Sequence, residues 1–300
     1  MDTELMDSLE ILDNREKDLY QSFSADEEIR RVSYHYEVNP RFFEIVTGGL
    51  WNTYSCNIWK DGFSLTQAQE YKLNEFARLA DLKPGSKVLD VGCGWGGPLV
   101  YLSKQFGIEG KGITISPKAI PIANNRAKLH NANVEFAVCH WRDLPETQEY
   151  DAIITDEVIV HFNDLEQFFK KSRKLLKPGG TLVNKELHFK HSTHAHAHDK
   201  LSQHINKVYG YSGNYRTLFD ELHFLNNAGF SLQEIVDINI DNYLTTISQH
   251  WLSNLIENKQ ELISLTSAKH VRDFQLYLRG IVKIFKADVF GLHIVSSKSL

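Results

Sequence analysis

The stretch "VLDVGCGWGG", Val88 to Gly97, sets four glycines within ten residues directly after an apolar run. Glycine after the first strand of an open α/β sheet lets the backbone approach a ligand and adopt positive φ, so Gly92, Gly94 and Gly96 mark a cradle for a nucleotide-like cofactor. Gly92, Gly94 and Gly97 also satisfy the dinucleotide pattern G-x-G-x-x-G. After the next strand signal, "GITIS", however, Thr114 and Ser116 stand where a dehydrogenase would hold the adenosine ribose with an acid. That weighs against NAD without naming the ligand. Two acids follow later apolar runs: Glu157 in "IITDEV" and Glu186 in "NKEL". Ligands of open α/β sheets bind outside the strand carboxyl ends, and an acid buried there has its pKa raised, which suits a proton acceptor near neutrality.

The elements that must position these groups are legible around them. From Val88 to Leu187, "KVLDVG", "KGITIS", "NVEFAVC", "YDAIITD" and "GGTLVNKEL" alternate with longer polar-apolar stretches, the punctuation of βαβ units and a parallel sheet. "LKPGS" and "LKPGG" are breakers that launch the first and fifth strands. Residues 244–286 read as helical and "VFGLHIVSS" as a closing strand, while 188–243 lack sustained periodicity and read as a cap. The first 28 residues carry ten Asp or Glu against two Lys or Arg, with Leu5, Leu9, Leu12 and Leu19 at helical spacing, so they read as an amphipathic helix with an acidic, solvated face.

Composition narrows the class. With 42% hydrophobic residues, 24% charged and a net charge of -5 over 300 residues, the chain is neither disordered nor basic enough to suggest a nucleic-acid partner. No run of about 18 uninterrupted apolar residues occurs, so contact with lipid is expected to be peripheral. Cys56, Cys93 and Cys139 form no C-x-x-C pair and no secretory leader pattern opens the sequence, which gives a cytoplasmic expectation.

The glycine turn belongs to a longer set of matches. "HYEVNPRFFEI", "TYSCNIW", "SLTQAQEYKL", "VLDVGCGWGG" and "LYLRGIVKIFKADVFGLHIVSSK" together resemble the cyclopropane-fatty-acid and mycolic-acid synthase family of S-adenosylmethionine methyltransferases. The resemblance runs from about residue 34 nearly to the end and is thinnest over 188–240. It implies an α/β fold, a Rossmann-like seven-stranded class I methyltransferase sheet with an α-helical cap and N-terminal helices. It implies S-adenosylmethionine as cofactor, leaving S-adenosylhomocysteine as product. The expected division is 1–75 as a helical region closing over the cofactor, 76–187 as the binding core, 188–243 as the substrate cap, and 244–300 as C-terminal helices with the closing strand.

Carried onto this sequence, the resemblance sets Tyr54, Ser55, Asp90, Gly92 and Gly94 on the cofactor, Thr114 on its ribose side, and Trp141 with Arg142 beside its adenine. Ala119 stands where relatives often have a Gln. Cyclopropane-forming relatives hold a bicarbonate with a Cys, a Glu-His pair, a second His and a Tyr. Here Cys56, His161 and Tyr243 match, but Val160 replaces the Glu and Lys185 the second His, so the cage is incomplete. Either a side chain is the base or the product never closes to a ring. Isoprenoid-diphosphate C-methyltransferases of similar layout carry an acid after the fourth strand, which favours Glu157 over Asp156. The expected catalytic set is Glu157, Tyr243, Cys56, His161 and Tyr36, the last as an aromatic face toward a cation. His35, Phe42, Phe43, Trp51 and Trp59 could offer such faces too, but aromatics at this density are more often core.

The expected reaction is C-methylation at a double bond of a lipid or isoprenoid, prenyl diphosphates included, with loss of a proton from a carbocation. The acceptor is a small hydrophobic molecule, with or without an anionic head group. N-methylation of a small amine and a non-catalytic cofactor-binding module are the rival readings. In "ELHFKHSTHAHAHDKLSQH", His188, His191, His194, His196, His198 and His204 fall within seventeen residues. His191, His194 and His198 would share a helical face, but no Cys joins them, so no metal is assigned. An anion site built from these imidazoles with Lys190 and Arg216 is the other expectation.

Overall fold

The computed structural model describes residues 24–36, 38–194 and 213–300. A seven-stranded sheet runs through them in the order β3-β2-β1-β4-β5-β7-β6, with β1 Lys87–Val91, β2 Glu109–Thr114, β3 Val134–Val138, β4 Tyr150–Asp156, β5 Leu176–Phe189, β6 Phe230–Ile238 and β7 Phe290–Ser299. Strands β1 to β5 pair in parallel, whereas β7 runs antiparallel to both β5 and β6. Side chains alternate between two cores, as the period of two requires. Val88, Ala152, Ile154 and Val183 face one helical layer, and Leu89, Val91, Ile153 and Leu182 face the other.

Helices α1 Ala25–Tyr36, α2 Pro40–Thr47 and α3 Leu65–Leu79 precede the sheet. Helix α3 starts at a capping box in which Ser64 and Gln67 satisfy each other's backbone N–H groups. Helices α4 Gly97–Phe106, α5 Ala119–His130 and α6 Leu165–Leu175 fill the crossovers. After α7 Leu218–Asn227 and β6, the chain returns through α8 Asp241–Thr245, a π-helical turn Thr246–Trp251, α9 Leu252–Glu257, α10 Lys259–Leu265 and α11 Ala268–Lys286.

Part of the expected cap is therefore sheet. Residues 218–238, read from sequence as cap, form α7 and the edge strand β6. The strand was hidden because "FSLQEIVDI" is largely exposed between its buried ends and, unlike the other edge strand β3, carries no sustained apolar alternation. The acidic amphipathic helix expected over residues 1–28 lies mostly outside the described residues, but its last turn does not. Glu28, in α1, is buried and reaches into the interior, so its charge is not a solvated one.

Candidate functional site

The glycine turn leaves β1 with Gly92 at φ +80° and enters α4 through Gly96 at +76°. Gly97 is needed for a different reason: a Cβ there would lie 1.8 Å from the Trp51 carbonyl oxygen, so the backbone of the 51–56 loop packs directly on the turn. Gly97→Ala is expected to destabilise the fold by about 1–3 kcal/mol, because neither backbone can give way cheaply; a chemical-denaturation midpoint checks it.

One cavity opens above this turn. Tyr54, Ser55, Asp90, Gly92, Gly94, Thr114 and Trp141 line it, and so do Tyr36, Glu157 and His161. Gly94, at φ +51°, has open space where its Cβ would be, so the turn presents bare backbone to whatever binds. Burial at the end of β1, together with the charge of Asp156, pushes the Asp90 carboxyl up to about 7. Ala119 also lines the cavity.

Arg142 stands off the cavity. The Trp141 indole, on the short helical turn Trp141–Asp143, lines the cavity, while the Arg142 guanidinium lies 4.6 Å over the indole ring and 3.7 Å from Glu28. It does not line the cavity. Glu28, which the sequence reading passed over, does. Its carboxylate accepts from Asn163 N–H at 3.1 Å and Trp141 Nε1 at 3.3 Å and lies 2.9 Å from His140 Nε2, which ties α1 across the cavity mouth. Burial alone would raise this carboxyl, but the bonds from His140 and Asn163 pull it below its usual range.

At the far wall four charges are buried together. Asp156 and Lys185 are register partners in the β4–β5 ladder, and Lys185 Nζ donates to Asp156 Oδ1 at 3.0 Å. Lys72, from α3, donates to Asp156 Oδ2 at 2.7 Å and to Ser55 Oγ at 2.6 Å, and Ser55 Oγ donates to the same carboxylate oxygen at 2.6 Å. Both lysines are fully buried. Burial would raise the Asp156 carboxyl, yet Lys185 and Lys72 overcome it and hold it at about 2. Burial pulls Lys72 down, whereas at Lys185 the neighbouring Asp156 and Glu157 outweigh burial and raise it. Lys72 was missed from sequence. The available signal was a lysine on the buried stripe of α3, one turn from Ala68 and one turn from Phe76.

Glu157 completes the tetrad. It stands just past β4 at φ +58°, a left-handed conformation that costs a non-glycine residue about 1–3 kcal/mol and persists only where its surroundings impose it. Here they do: its N–H donates to Lys185 O at 2.7 Å, Cys56 N–H donates to Oε1 at 2.8 Å, Lys185 Nζ donates to Oε1 as well, and Tyr243 Oη donates to Oε2. Oε1 thus takes two donors and Oε2 one, leaving Oε2 with spare acceptor capacity.

Of the other expected site residues, Tyr36 and His161 line the cavity, whereas Cys56 and Tyr243 do not line it and reach it only through their bonds to Glu157. The Cys56 thiol is buried, donates to Asn57 O at 3.2 Å, and is pushed up to about 12 mainly by burial, so it is a neutral packing group whose backbone N–H, not sulfur, serves Glu157. His161 is brought down to about 4 by burial and is neutral near pH 7. The Tyr36 ring meets Phe43, Tyr54 and Trp95 at 5.9–6.4 Å. Burial, with Glu157 nearby, raises the phenols of both Tyr36 and Tyr243. In the π-helical turn, Thr246 Oγ1 accepts from Asn57 N–H at 3.3 Å and Trp59 Nε1 at 2.9 Å, which fixes the loop carrying Cys56.

Several sequence candidates lie elsewhere. Glu186 accepts from the N–H groups of Val160 at 3.1 Å and Leu187 at 2.9 Å and does not line the cavity. The expected anion site is already engaged: Arg216 donates to the Phe162 and Asn163 carbonyls, Lys190 pairs with Asp288, and His188 lies buried between Glu221 at 2.6 Å and His293 at 3.0 Å. His196, His198 and His204 lie outside the described residues. Among the described residues no group of three His, Cys, Asp or Glu is placed to hold a metal, and no helix is long and apolar enough to cross a membrane.

Comparison with known proteins agrees with this fold. A probable fatty acid methyltransferase of Pseudomonas putida is 26% identical over 271 residues, covering 87% of this chain and 67% of its own length. The cyclopropane-fatty-acyl-phospholipid synthase of Escherichia coli K12 is 30% identical over 151 residues, half of this chain and 38% of that protein. Among solved structures, a mycolic acid cyclopropane synthase complexed with SAH and CTAB superposes with a TM-score of 0.83 at 20% identity, over 90% of this chain and 98% of the other, a likeness of fold. The model of the mycolic acid cyclopropane synthetase family matches residues 23–295. The chain belongs to that family of S-adenosylmethionine-dependent methyltransferases.

Proposed function

We propose that this protein methylates carbon at a double bond of a lipid or isoprenoid substrate, and that Glu157 takes the proton the resulting carbocation must lose. The observation that carries the reading is the Glu157 carboxylate at the cavity wall, held by Lys185, the Cys56 N–H and Tyr243, with Oε2 accepting a single bond. When bound, S-adenosylmethionine supplies a methyl group on a sulfonium, already activated for transfer. The residues present fit such a group: bare backbone at Gly92 and Gly94, Asp90 and Thr114 at the ends of β1 and β2, and the Trp141 indole all face the cavity.

An alkene is a weak nucleophile, so the chain's contribution is positioning, exclusion of water and stabilisation of positive charge. The rings of Tyr36, Tyr54 and Trp95 turn aromatic faces and edges toward one another beside Glu157, an arrangement suited to a cation in a dry cavity. As the cation forms, a C–H bond next to it breaks, its electrons become the new double bond, and the proton goes to Oε2 of Glu157. Lys185 and the Cys56 N–H stay on Oε1 and keep the carboxyl oriented throughout. Val160 and Lys185, which interrupt the bicarbonate set of cyclopropane-forming relatives, leave this acid as the base.

Asp90 gives a pH dependence. Its raised carboxyl is protonated below about 7 in the ligand-free protein. A cationic cofactor beside it favours the ionised form, so cofactor affinity is expected to rise as pH increases through that value and to level off above it. Calorimetric titration with S-adenosylmethionine across neutral pH checks this, and Asp90→Asn is expected to flatten the profile. The reading as a whole is tested by incubating unsaturated fatty-acyl and prenyl substrates, and small amines, with methyl-labelled cofactor. Label on carbon supports it; label on nitrogen alone favours the amine reading, and cofactor binding with no turnover favours a binding module.

A further inference from the structure

Helix α11 has two unlike faces. Inward, Val271, Phe274, Leu278 and Phe285 are buried; Phe274 packs on Phe42 and Phe43, Phe285 lies 4.5 Å from the Tyr243 ring, and Tyr277 hydrogen-bonds Tyr54. Outward, Lys269, Arg272, Leu276, Arg279, Lys283 and Lys286 are exposed. Their spacing of three and four residues sets them in one stripe, about 25 Å long at the helical rise of ~1.5 Å per residue. Five of the six are cations, in a chain whose net charge is -5. The helix contains a single acid, Asp273, which is 24% exposed and pairs with Lys269 at 2.6 Å. Glu261, on the adjoining α10, is drawn off by Arg41, and Asp288 beyond the helix end by Lys190. Among the described residues Arg279, Lys283 and Lys286 make no ion pair.

We propose that this outer face of α11 docks the protein on an anionic lipid surface. Lys269 and Arg272 share the one carboxylate of Asp273, at 2.6 and 3.7 Å, while Arg279, Lys283 and Lys286 are unneutralised; the stripe lies on one straight element and is interrupted by one exposed apolar residue, Leu276 at 48%, which suits a plane of phosphate head groups better than a compact acidic protein. Each lysine or arginine brought near an anionic leaflet contributes about 1 kcal/mol, and the attraction fades within a Debye length of ~10 Å. The docked helix would bring Tyr277 and Phe285, which pack against Tyr54 and Tyr243, within one helix diameter of the bilayer that supplies an apolar acceptor. The inference rests on the proposed lipid or isoprenoid substrate, but the surface is tested separately from the chemistry.

The test is co-sedimentation of the full chain with phosphatidylcholine vesicles with and without phosphatidylglycerol. The wild type is expected to bind only the anionic vesicles and to be released by high salt. Arg272→Glu/Arg279→Glu/Lys283→Glu is expected to partition about 100-fold or more weakly, while a matched reversal on other helices, Lys104→Glu/Lys128→Glu/Lys174→Glu, has a much smaller effect. Retained binding by the α11 variant, equal loss in both variants, or binding to a soluble acidic protein with none to vesicles would overturn the proposal. Methyl transfer to acceptor dispersed in neutral detergent, unchanged in the α11 variant, reads the chemistry by itself. Its absence in wild type that still binds vesicles would count against the substrate reading and leave the docking face standing.

Discussion

Replacing Glu157 by glutamine is expected to lower the turnover rate about 100- to 10,000-fold, the range lost when a positioned general base is removed, with little change in S-adenosylhomocysteine affinity. Glutamine keeps the shape of the side chain. Its carbonyl oxygen still accepts from Lys185 Nζ and the Cys56 N–H, and its amide turns toward Tyr243, but it cannot take a proton. The wall then holds two lysines against Asp156 alone, so a modest loss of stability should accompany the loss of rate. Initial rates with labelled cofactor, read beside calorimetric binding of S-adenosylhomocysteine, separate the two effects. A rate within about tenfold of wild type would mean that another group removes the proton, since base catalysis is worth at least ~100-fold. Tyr243→Phe should cost less, because it deletes one donor to Oε2 and leaves the base in place.

Lys72→Met is expected to have the largest effect on stability, about 3–5 kcal/mol, because removing one partner from a buried ion pair strands the other. Lys72 Nζ serves both Asp156 and Ser55, and without it the two acids of the tetrad face Lys185 alone. The acid limb carries the same signature. Asp156 is held at about 2 against an ordinary value of 3.8, so its contribution is fully present above the ordinary value and is lost as pH falls toward 2. Removing Lys72 lifts that carboxyl, and the acid-unfolding midpoint should move to higher pH. Urea denaturation at neutral pH and an acid titration of the same variant measure the two effects. Lys72→Met/Asp156→Asn should recover much of the loss, as expected when the damage is an unpaired charge.

What the sequence disclosed follows from burial. Strands β1, β2, β4, β5 and β7 were readable because their central residues are mostly buried and appear as apolar or β-branched runs, and the edge strand β3 because Val134, Phe136 and Val138 alternate although only Phe136 is buried; the glycine turn and the acid after β4 sit at strand ends. Strand β6 was not, since an edge strand with exposed Leu232 and Ile235 among polar neighbours carries no such run. The site was readable wherever a residue stood next to a strand end, as Asp90, Thr114 and Glu157 do. It was not readable where chemistry arrives from a distant helix. Lys72 lies 84 residues from Asp156 and Glu28 lies 112 from His140, separations that only the closed fold brings to hydrogen-bond range. Arg142 stands apart for a local reason: one step along a tight turn separates the indole that lines the cavity from the guanidinium stacked on it.

The most direct measurement is the mass spectrum of an unsaturated lipid or prenyl product formed with trideuteromethyl cofactor. If Glu157 removes a proton from the substrate carbon beside the cation, the product keeps every deuterium of the donated methyl group on a new carbon–carbon bond, and Glu157→Gln forms little of it. A product lacking one deuterium, made by ring closure through the methyl group, or deuterium found only on nitrogen, would contradict the account.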